Sequence, residues 1–227
     1  MSKKVFSVAI DGPSGAGKST LAKAVAAELG IIYVDTGAMY RTIGCYVYDK
    51  QVDPKDSEAV TALLPEIHIE MKHGEDGLQR MILNGEDVSD KIRLPQMSMY
   101  ASAVSAIPQV RTFLLEMQRE LARTHSVIMD GRDIATVVLP DADVKIFLYA
   151  DAEIRAQRRT LELEQRGTPQ PYEEVLRDIE ARDWADSHRE TAPLRPADDS
   201  IMVDNGDKTF EQSKQFLLTL VKDWVGL

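Results

Sequence analysis

Gly12-Pro-Ser-Gly-Ala-Gly-Lys-Ser-Thr20 is the stretch of sequence that decides the fold of this chain. It follows an apolar, β-type run, Val5–Ile10, and precedes a segment with apolar residues at helical spacing that ends at Gly30. A loop with this spacing of glycines, lysine and hydroxyl, set between a strand and a helix, is a phosphate-binding P-loop. Its glycines let consecutive N–H groups point inward at a helix N-terminus, whose dipole also favours anions.

The loop predicts binding of a nucleoside triphosphate. Lys18 can reach the β- and γ-phosphates as a point charge, and the Ser19 hydroxyl can ligate Mg²⁺. We expect the helix to start at Thr20 and to run to Leu29. The predicted ATP-binding residues are Gly12, Pro13, Ser14, Gly15, Ala16, Gly17, Lys18, Ser19 and Thr20. The loop alone does not distinguish a kinase from a GTPase, a motor or a switch.

Composition limits the remaining classes. The 227 residues, 44% hydrophobic and 28% charged, suffice for one substantial domain with a small inserted part. The single cysteine, Cys45, excludes an internal disulfide framework, and the four histidines lack metal-ligand spacing. We therefore expect a protein of the reducing cytoplasm. A net charge of −10 disfavours nucleic-acid or anionic-membrane binding, and the apolar run before Asp11 is too short for a signal or a membrane span.

Alternating β- and α-type patterns predict a P-loop NTPase-type α/β fold, a five-stranded parallel sheet flanked by helices. The predicted strands are Val5–Ile10, Ile31–Val34, Ser126–Met129, Val144–Tyr149 and Ser200–Val203. The predicted helices are Thr20–Leu29, 38–48, 57–64, 96–106, 109–123, Ala152–Gln165, Tyr172–His188 and Phe210–Val225.

A small antiparallel insertion is predicted between about Pro65 and Ile92. Two further strand patterns, Ile67–Met71 and Arg80–Leu83, flank the turn-forming residues 73–77. Asn84-Gly85 supplies a second turn signal.

Polar residues follow the second predicted strand at Asp35-Thr-Gly-Ala-Met-Tyr-Arg41. Ligands of open α/β sheets bind outside the carboxyl ends of the strands, where this segment lies. Thr36 can form a hydrogen bond there, and the guanidinium fork of Arg41 suits a phosphate. A helix N-cap followed by a solvated arginine is the competing interpretation.

Charged residues also follow the apolar strand at 126–129, in the segment Asp130-Gly-Arg-Asp133. We expect them to face a cleft, because unpaired charges are costly in a core. A carboxylate such as Asp130 can hold Mg²⁺ through water or fix a substrate amino group, and Arg132 can neutralise a transferring phosphate. A plain surface turn is the alternative.

Two helices carry further arginines. After Pro171 the apolar stripe of one helix becomes charged at Arg182, Asp183, Asp186 and Arg189, which indicates ligand contact unless the run is a solvated ion-pair face. Arg155, Arg158 and Arg159 share a face of the preceding helix, where like charges repel unless an anion is shared. They precede a Gly/Pro-bounded loop that is typical of a phosphoryl-transfer lid. Glu153, Glu162 and Glu164 can instead neutralise them.

Together these motifs, with Leu83-Asn-Gly-Glu-Asp-Val-Ser89 and Val137-Val-Leu-Pro-Asp141, resemble the bacterial cytidylate kinase family of nucleoside monophosphate kinases over nearly the whole chain. The resemblance implies one domain with three parts. These are a CORE (about 1–35, 107–155 and 172–227), an NMP-binding region with the β insertion (about 36–106), and a LID (about 156–171).

The resemblance also implies roles for individual residues. The acceptor phosphate would be bound by Thr36, Arg41 and Arg132. The cytosine base would be recognised by Ser102, Arg111 and Asp133. The ribose would contact Arg182 and Asp186, with Arg189 beside the acceptor nucleotide. The catalytic cations would be Lys18, Arg132, Arg155, Arg158, Arg159 and Arg189. Thr36 stands where some members have serine, and Trp184 where some have a polar residue.

We therefore predict in-line transfer of the γ-phosphoryl group of ATP, bound with Mg²⁺, to the α-phosphate of CMP or dCMP. No general base is needed because the attacking oxygen is already anionic. A kinase for UMP, AMP or another small acceptor and a non-catalytic ATP-binding regulator remain open. A GTPase switch would need an Asn-Lys-x-Asp type segment, which we do not find, and the acidic charge disfavours a nucleic-acid-dependent ATPase. We expect a monomer because no exposed apolar stripe is evident.

Overall fold

The computed structural model describes residues 5–74 and 79–226. The chain divides into two compact units. The first comprises the residues up to Tyr33 and those from Ala122 onwards, and the second is Val34–Leu121. The predicted bounds of a CORE, an NMP-binding region and a LID differ from these and stay predictions.

The described residues form eight strands and eight helices. The strands are β1 Ser7–Asp11, β2 Ile32–Asp35, β3 Ile69–His73, β4 Gln79–Leu83, β5 Glu86–Asp87, β6 Val127–Gly131, β7 Val144–Tyr149 and β8 Ile201–Asp204. The helices are α1 Lys18–Leu29, α2 Thr36–Asp49, α3 Ser57–Leu63, α4 Pro95–Val104, α5 Pro108–Thr124, α6 Ala152–Gln165, α7 Tyr172–His188 and α8 Phe210–Val225. Short helical turns occur at Leu64–Glu66, Lys91–Arg93 and Ile134–Val138.

A five-stranded sheet in the order β2-β6-β1-β7-β8 confirms the predicted parallel fold. The central strand, β1, is buried from Val8 to Asp11, which explains its nearly continuous apolar sequence. α1 and α8 pack together, α1 contacts β6, and α8 contacts β7. The apolar core of the first unit lies between these helices and the sheet.

Four strands of this sheet extend further towards their carboxyl ends than predicted. The prediction stopped at the last apolar residue, whereas β1, β2 and β8 each end on an aspartate, at Asp11, Asp35 and Asp204. β6 likewise continues through Asp130 to Gly131. These acids stay in strand geometry at the edge of the sheet where ligands of parallel α/β proteins bind.

α1 begins at Lys18, so the predicted start at Thr20 was wrong. Gly17 precedes the helix in the left-handed region, with φ 94°, and the helix can begin at the next residue. The C-terminal end was predicted correctly, because Gly30 adopts left-handed geometry and its N–H bonds to the carbonyls of Ala26 and Ala27.

The second unit contains an antiparallel sheet, β3-β4-β5, as predicted for the insertion. Asn84 and Gly85 form the predicted turn with φ of 50° and 89°, and the short strand β5 that follows was not predicted. Residues 75–77 of the other predicted turn, 73–77, lie outside the described residues. A buried apolar cluster joins this sheet to α2, α4 and α5.

An exposed apolar stripe on α8 contradicts one sequence-based expectation. Phe216 is 45% exposed and Trp224 is 62% exposed, and the half-buried Leu220 lies between them at helical spacing. The expectation of a monomer rested on the absence of such a stripe, so it stays a prediction without that support. None of the helices in the described part of the chain has the length and apolar character needed to cross a membrane.

Replacing Gly44 with alanine should destabilise the second unit, although alanine favours helix formation over glycine by about 1 kcal/mol. A Cβ at Gly44 would lie 2.9 Å from the Cβ of Tyr100 and 3.2 Å from the backbone N of Ala101, so α2 and α4 would have to move apart. We expect the free energy of unfolding, measured with urea, to fall by about 1–3 kcal/mol. The control is Thr219→Ala on the exposed face of α8. A stabilised Gly44→Ala variant would contradict this packing.

Candidate active site

The loop between β1 and α1 has the backbone that a phosphate-binding loop requires. Gly12, Gly15 and Gly17 have φ of 147°, 77° and 94°, which side-chain-bearing residues rarely adopt. A Cβ at Gly12 would lie 1.9 Å from the carbonyl oxygen of Leu148. The first glycine is therefore required by contact with β7 as well as by its backbone angle.

Lys18 is buried inside this loop. Its Nζ donates to the carbonyl oxygen of Pro13 at 2.7 Å. Burial, and then the positive charge of Arg132, lowers the pKa of Lys18 to about 7, while Asp130 and Asp11 oppose the shift. An anion bound in the loop would favour the charged form of this amine.

Asp130, at the end of β6, is held by two hydroxyl groups. Its Oδ2 accepts a hydrogen bond from Ser19 Oγ at 2.7 Å, and its Oδ1 accepts one from Tyr33 Oη at 2.9 Å. The sequence analysis missed Tyr33, although a tyrosine within a short strand beside polar residues was an available signal. The exposed Ser19 and the buried Asp130 together offer the hard oxygen atoms that Mg²⁺ prefers.

In the part of the chain that the structure describes, we searched for side chains that could by themselves surround a metal ion. No group of three or more His, Cys, Asp or Glu side chains suited to a metal occurs there. The Ser19–Asp130 pair fits an ion whose remaining ligands are phosphate oxygens and water, which is the usual situation of Mg²⁺ bound with a nucleotide.

The charged residues of α7 meet those that follow β6. Arg132 Nε donates to Asp186 Oδ2 at 2.7 Å, and Arg189 Nη2 lies 3.6 Å from Asp133 Oδ1. Although burial pushes the pKa of Asp186 upward, the charges of Arg132, Arg182 and Arg189 hold it below its usual value. The charged continuation of the apolar stripe is thus a partly buried cluster around the buried Asp186, and the solvated-face interpretation was wrong for Asp186.

Asp11 joins the end of β1 to the turn that follows Asp133. Its two carboxylate oxygens accept hydrogen bonds from the backbone N–H groups of Ile134 and Ala135, at 2.8 and 2.7 Å. Burial raises the pKa of Asp11 to about 7. The two backbone bonds and Lys18 oppose this shift, and Asp133 adds to it. The sequence analysis noted Asp11 only as the residue that ends the apolar run and gave it no role.

The three arginines predicted to share an anion on α6 have separate protein partners. Arg155 is buried and donates to Ala150 O, to Ser14 O and, at 2.6 Å, to Asp183 Oδ2. The carbonyl oxygens of Asn205 and Gly206 accept hydrogen bonds from Arg158. Arg159 pairs with Glu162, as the alternative interpretation allowed. Protein oxygens thus offset the repulsion between these arginines without a shared anion, and their predicted contact with the donor phosphates stays a prediction.

In the second unit, Asp35 caps α2 by accepting a hydrogen bond from Ala38 N at 2.8 Å. The same carboxylate forms an ion pair with Arg41 at 2.8 Å. The helix-cap part of the competing interpretation is therefore correct, whereas Arg41 is paired rather than only solvated. Thr36, the first residue of α2, is buried.

Arg111 is also buried in the second unit. It donates to Ser105 O at 3.1 Å and lies 5.6 Å from the ring centroid of Tyr40. Ser102 lies on α4, and its carbonyl oxygen accepts a hydrogen bond from Ser105 Oγ. Neither Ser102 nor Arg111 belonged to a motif whose spacing would have identified it.

Trp184 lies on an exposed part of α7. It is 66% exposed and stacks on His188, with 4.7 Å between the ring centroids. The tryptophan at this position therefore leaves the partly buried charged cluster on the same helix undisturbed.

Comparison with known proteins identifies close relatives. A family model described as cytidylate kinase matches residues 8–223. The cytidylate kinase of Caldicellulosiruptor bescii is 50% identical over 96% of this chain and 96% of its own length. That of Lactobacillus johnsonii is 49% identical over 92% and 90%, respectively. The crystal structure of an uncharacterized protein from Eubacterium ventriosum aligns with 96% of this chain and 98% of its own chain. The TM-score is 0.53 and the sequence identity is 13%, so this similarity concerns the fold alone.

The raised pKa of Asp11 predicts a pH-dependent stability. Between about pH 4 and pH 7 the folded protein retains a proton that the unfolded chain releases, so this group's stabilising contribution is lost as pH rises. Asp11→Asn removes this titration. The unfolding free energy of the variant minus that of the wild type should therefore rise across this range, by at most about 4 kcal/mol.

Urea unfolding at several pH values, followed by circular dichroism, measures this difference. The control is Asp223→Asn, which changes an exposed carboxylate on α8. A difference between Asp11→Asn and the wild type that stays constant from pH 4 to pH 7 would show that Asp11 does not titrate there.

Proposed function

This chain belongs to the cytidylate kinase family, and we propose that it transfers the γ-phosphoryl group of ATP, bound with Mg²⁺, to the α-phosphate of CMP or dCMP. The products are ADP and CDP or dCDP. The observation that carries the proposal is the cluster of Lys18, the Ser19–Asp130 pair and Arg132 with Asp186. In this cluster a buried P-loop lysine and a partly buried arginine adjoin the ends of two neighbouring strands.

The donor nucleotide would bind the loop from Gly12 to Thr20. The backbone N–H groups at the start of α1 suit the β-phosphate, and Lys18 would exchange its bond to Pro13 O for phosphate oxygens. Bound Mg²⁺ would offset negative charge on the β- and γ-phosphates. Ser19 would hold the ion directly, and Asp130 would do so through water.

The acceptor nucleotide would bind the residues that the family resemblance assigns. We propose phosphate contacts from Thr36, Arg41 and Arg132, cytosine contacts from Ser102, Arg111 and Asp133, and ribose contacts from Arg182 and Asp186. The ion pairs Arg132–Asp186 and Arg41–Asp35 support this proposal, because they fix the guanidinium groups before a phosphate arrives. Arg189 would lie beside the acceptor nucleotide.

The chemical step would need charge neutralisation rather than a proton acceptor. The attacking oxygen of a nucleoside monophosphate is already anionic near pH 7, and two phosphate-bearing substrates repel each other. Lys18, Arg132 and Arg189 are proposed to offset this repulsion and the charge of the transferring group. Arg155, Arg158 and Arg159 are proposed to act from the donor side.

We further propose that the chain works as one domain with a CORE, an NMP-binding region and a LID near the bounds given above. Closing the LID, about residues 156–171, over the donor would exclude water from the transfer. We also propose that the enzyme is cytoplasmic and monomeric and acts on free nucleotides rather than on nucleic acid.

The acceptor specificity can be tested directly. ADP formation is measured with MgATP and CMP, dCMP, UMP, AMP or GMP, with a control that lacks acceptor. We expect rapid turnover with CMP and dCMP and much slower turnover with the purine nucleotides. Preferred turnover with another acceptor would retain the kinase and refute the cytosine assignment, whereas a lack of turnover with all five would favour an ATP-binding regulator.

Replacing the proposed catalytic cations should impair turnover more than stability. We expect Lys18→Ala and Arg132→Ala each to lower kcat by about 10²–10³-fold or more, because each removes a preorganised positive charge from the phosphoryl group. Lys23→Ala, at an exposed lysine of α1, is the matched control. Unfolding curves separate loss of activity from loss of fold, and near-normal kcat in a folded variant would refute the role of that residue.

A further inference from the structure

The loop that follows β8 contacts the phosphate-binding loop. Asn205, only 6% exposed, donates from Nδ2 to the carbonyl oxygen of Ala16 at 2.7 Å. The contact is close, because a Cβ at Gly17 would lie 2.8 Å from the same Nδ2. Asn205 is distant from Ala16 in sequence, and no motif identified it.

The Asn205 amide is fixed on both sides. Its Oδ1 accepts a hydrogen bond from the buried Ser213 Oγ at 2.5 Å. The orientation of the amide follows from chemistry, because the carbonyl oxygen of Ala16 can only accept and must face the NH₂ group. The backbone of Asn205 is also held, since its N–H donates to Tyr149 O and its carbonyl oxygen accepts from Arg158.

Arg155 makes an equivalent contact two residues earlier in the loop. Its Nη1 donates to Ser14 O at 3.0 Å, and a Cβ at Gly15 would lie 3.3 Å from its Cβ. In a planar trans peptide, the carbonyl of one residue and the N–H of the next point in opposite directions. Holding the carbonyls of Ser14 and Ala16 therefore directs the N–H groups of Gly15 and Gly17 away from Arg155 and Asn205.

We propose that Asn205 is a positioning residue for the donor phosphates, acting through the Ala16 carbonyl on the N–H of Gly17. This inference rests on the proposed function, in which the loop binds the phosphates of ATP. Glycine has the greatest backbone freedom of any residue, so a loop containing three glycines needs an external support to keep its N–H groups oriented. Asn205 supplies that support from a loop anchored to α8 and β7.

Asn205→Asp tests the proposal with little change in shape. The variant places an acceptor in front of the Ala16 carbonyl and loses the donor. We expect the Kd of MgATP, measured by calorimetry without acceptor, and the KM for ATP to rise about tenfold. The KM for CMP should change less than twofold. Asn205→Ala, which introduces no buried charge, should raise the same two constants.

Two further variants separate positioning from stability. Val221→Ala shortens a buried side chain of α8, so it should lower the unfolding temperature while leaving the Kd of MgATP unchanged. Ser213→Ala removes the bond that orients Oδ1 and should raise the Kd of MgATP by less than Asn205→Asp does. Because Ser213→Ala leaves Asn205 in place, it keeps the test decisive even if the Asn205 variants do not fold.

The outcomes distinguish this inference from the function on which it rests. If wild-type protein binds and uses MgATP, and folded Asn205 or Ser213 variants bind it equally well, the positioning role is refuted and the kinase assignment stands. Equal increases in the KM of both substrates would also refute it. Wild-type protein that does not bind MgATP would overturn the proposed function and this inference together.

Discussion

The close approach of Gly12 to the carbonyl of Leu148 is the constraint on which the rest of the site depends. A side chain at this position would overlap β7, so the chain leaves β1 in a conformation that only glycine adopts readily. The loop then turns back on itself, and α1 begins at Lys18 directly after Gly17. This path buries the lysine amine within the loop, where it is ready to meet an anion.

The buried charges of the first unit are stabilised by neighbouring charged and hydrogen-bonding groups rather than by solvent. Lys18, Asp130, Asp133 and Asp186 are all nearly inaccessible. Desolvation lowers the pKa of Lys18 to about 7, and nearby arginines hold the pKa of Asp186 below its usual value. Such a cluster contributes little to stability, because the cost of burying charges offsets their attraction. Its value lies in holding cations in fixed positions, which phosphoryl transfer requires.

The arginines of α6 show that residues of one type on one helix face can have different structural roles. Arg155 and Arg158 donate to backbone carbonyls, of the phosphate-binding loop and of the loop after β8 respectively, whereas Arg159 pairs with Glu162 near the surface. Arg155 also pairs with Asp183 on α7. The first two therefore connect segments around the phosphate-binding loop, a role that helical spacing alone does not reveal.

The sequence by itself determined the phosphate-binding loop, the five-stranded parallel sheet, the antiparallel insertion and the charged continuation of the α7 stripe. Each of these is encoded by neighbouring residues, in glycine spacing or in apolar periodicity, and can be read without knowing the fold. Only the tertiary structure decided the bonds from Asp11 to the turn after Asp133, from Tyr33 to Asp130 and from Asn205 to Ala16. These pairs join residues that are 97 to 189 positions apart in the sequence, and hydrogen bonds at that separation depend on how strands and loops pack, which no local pattern records.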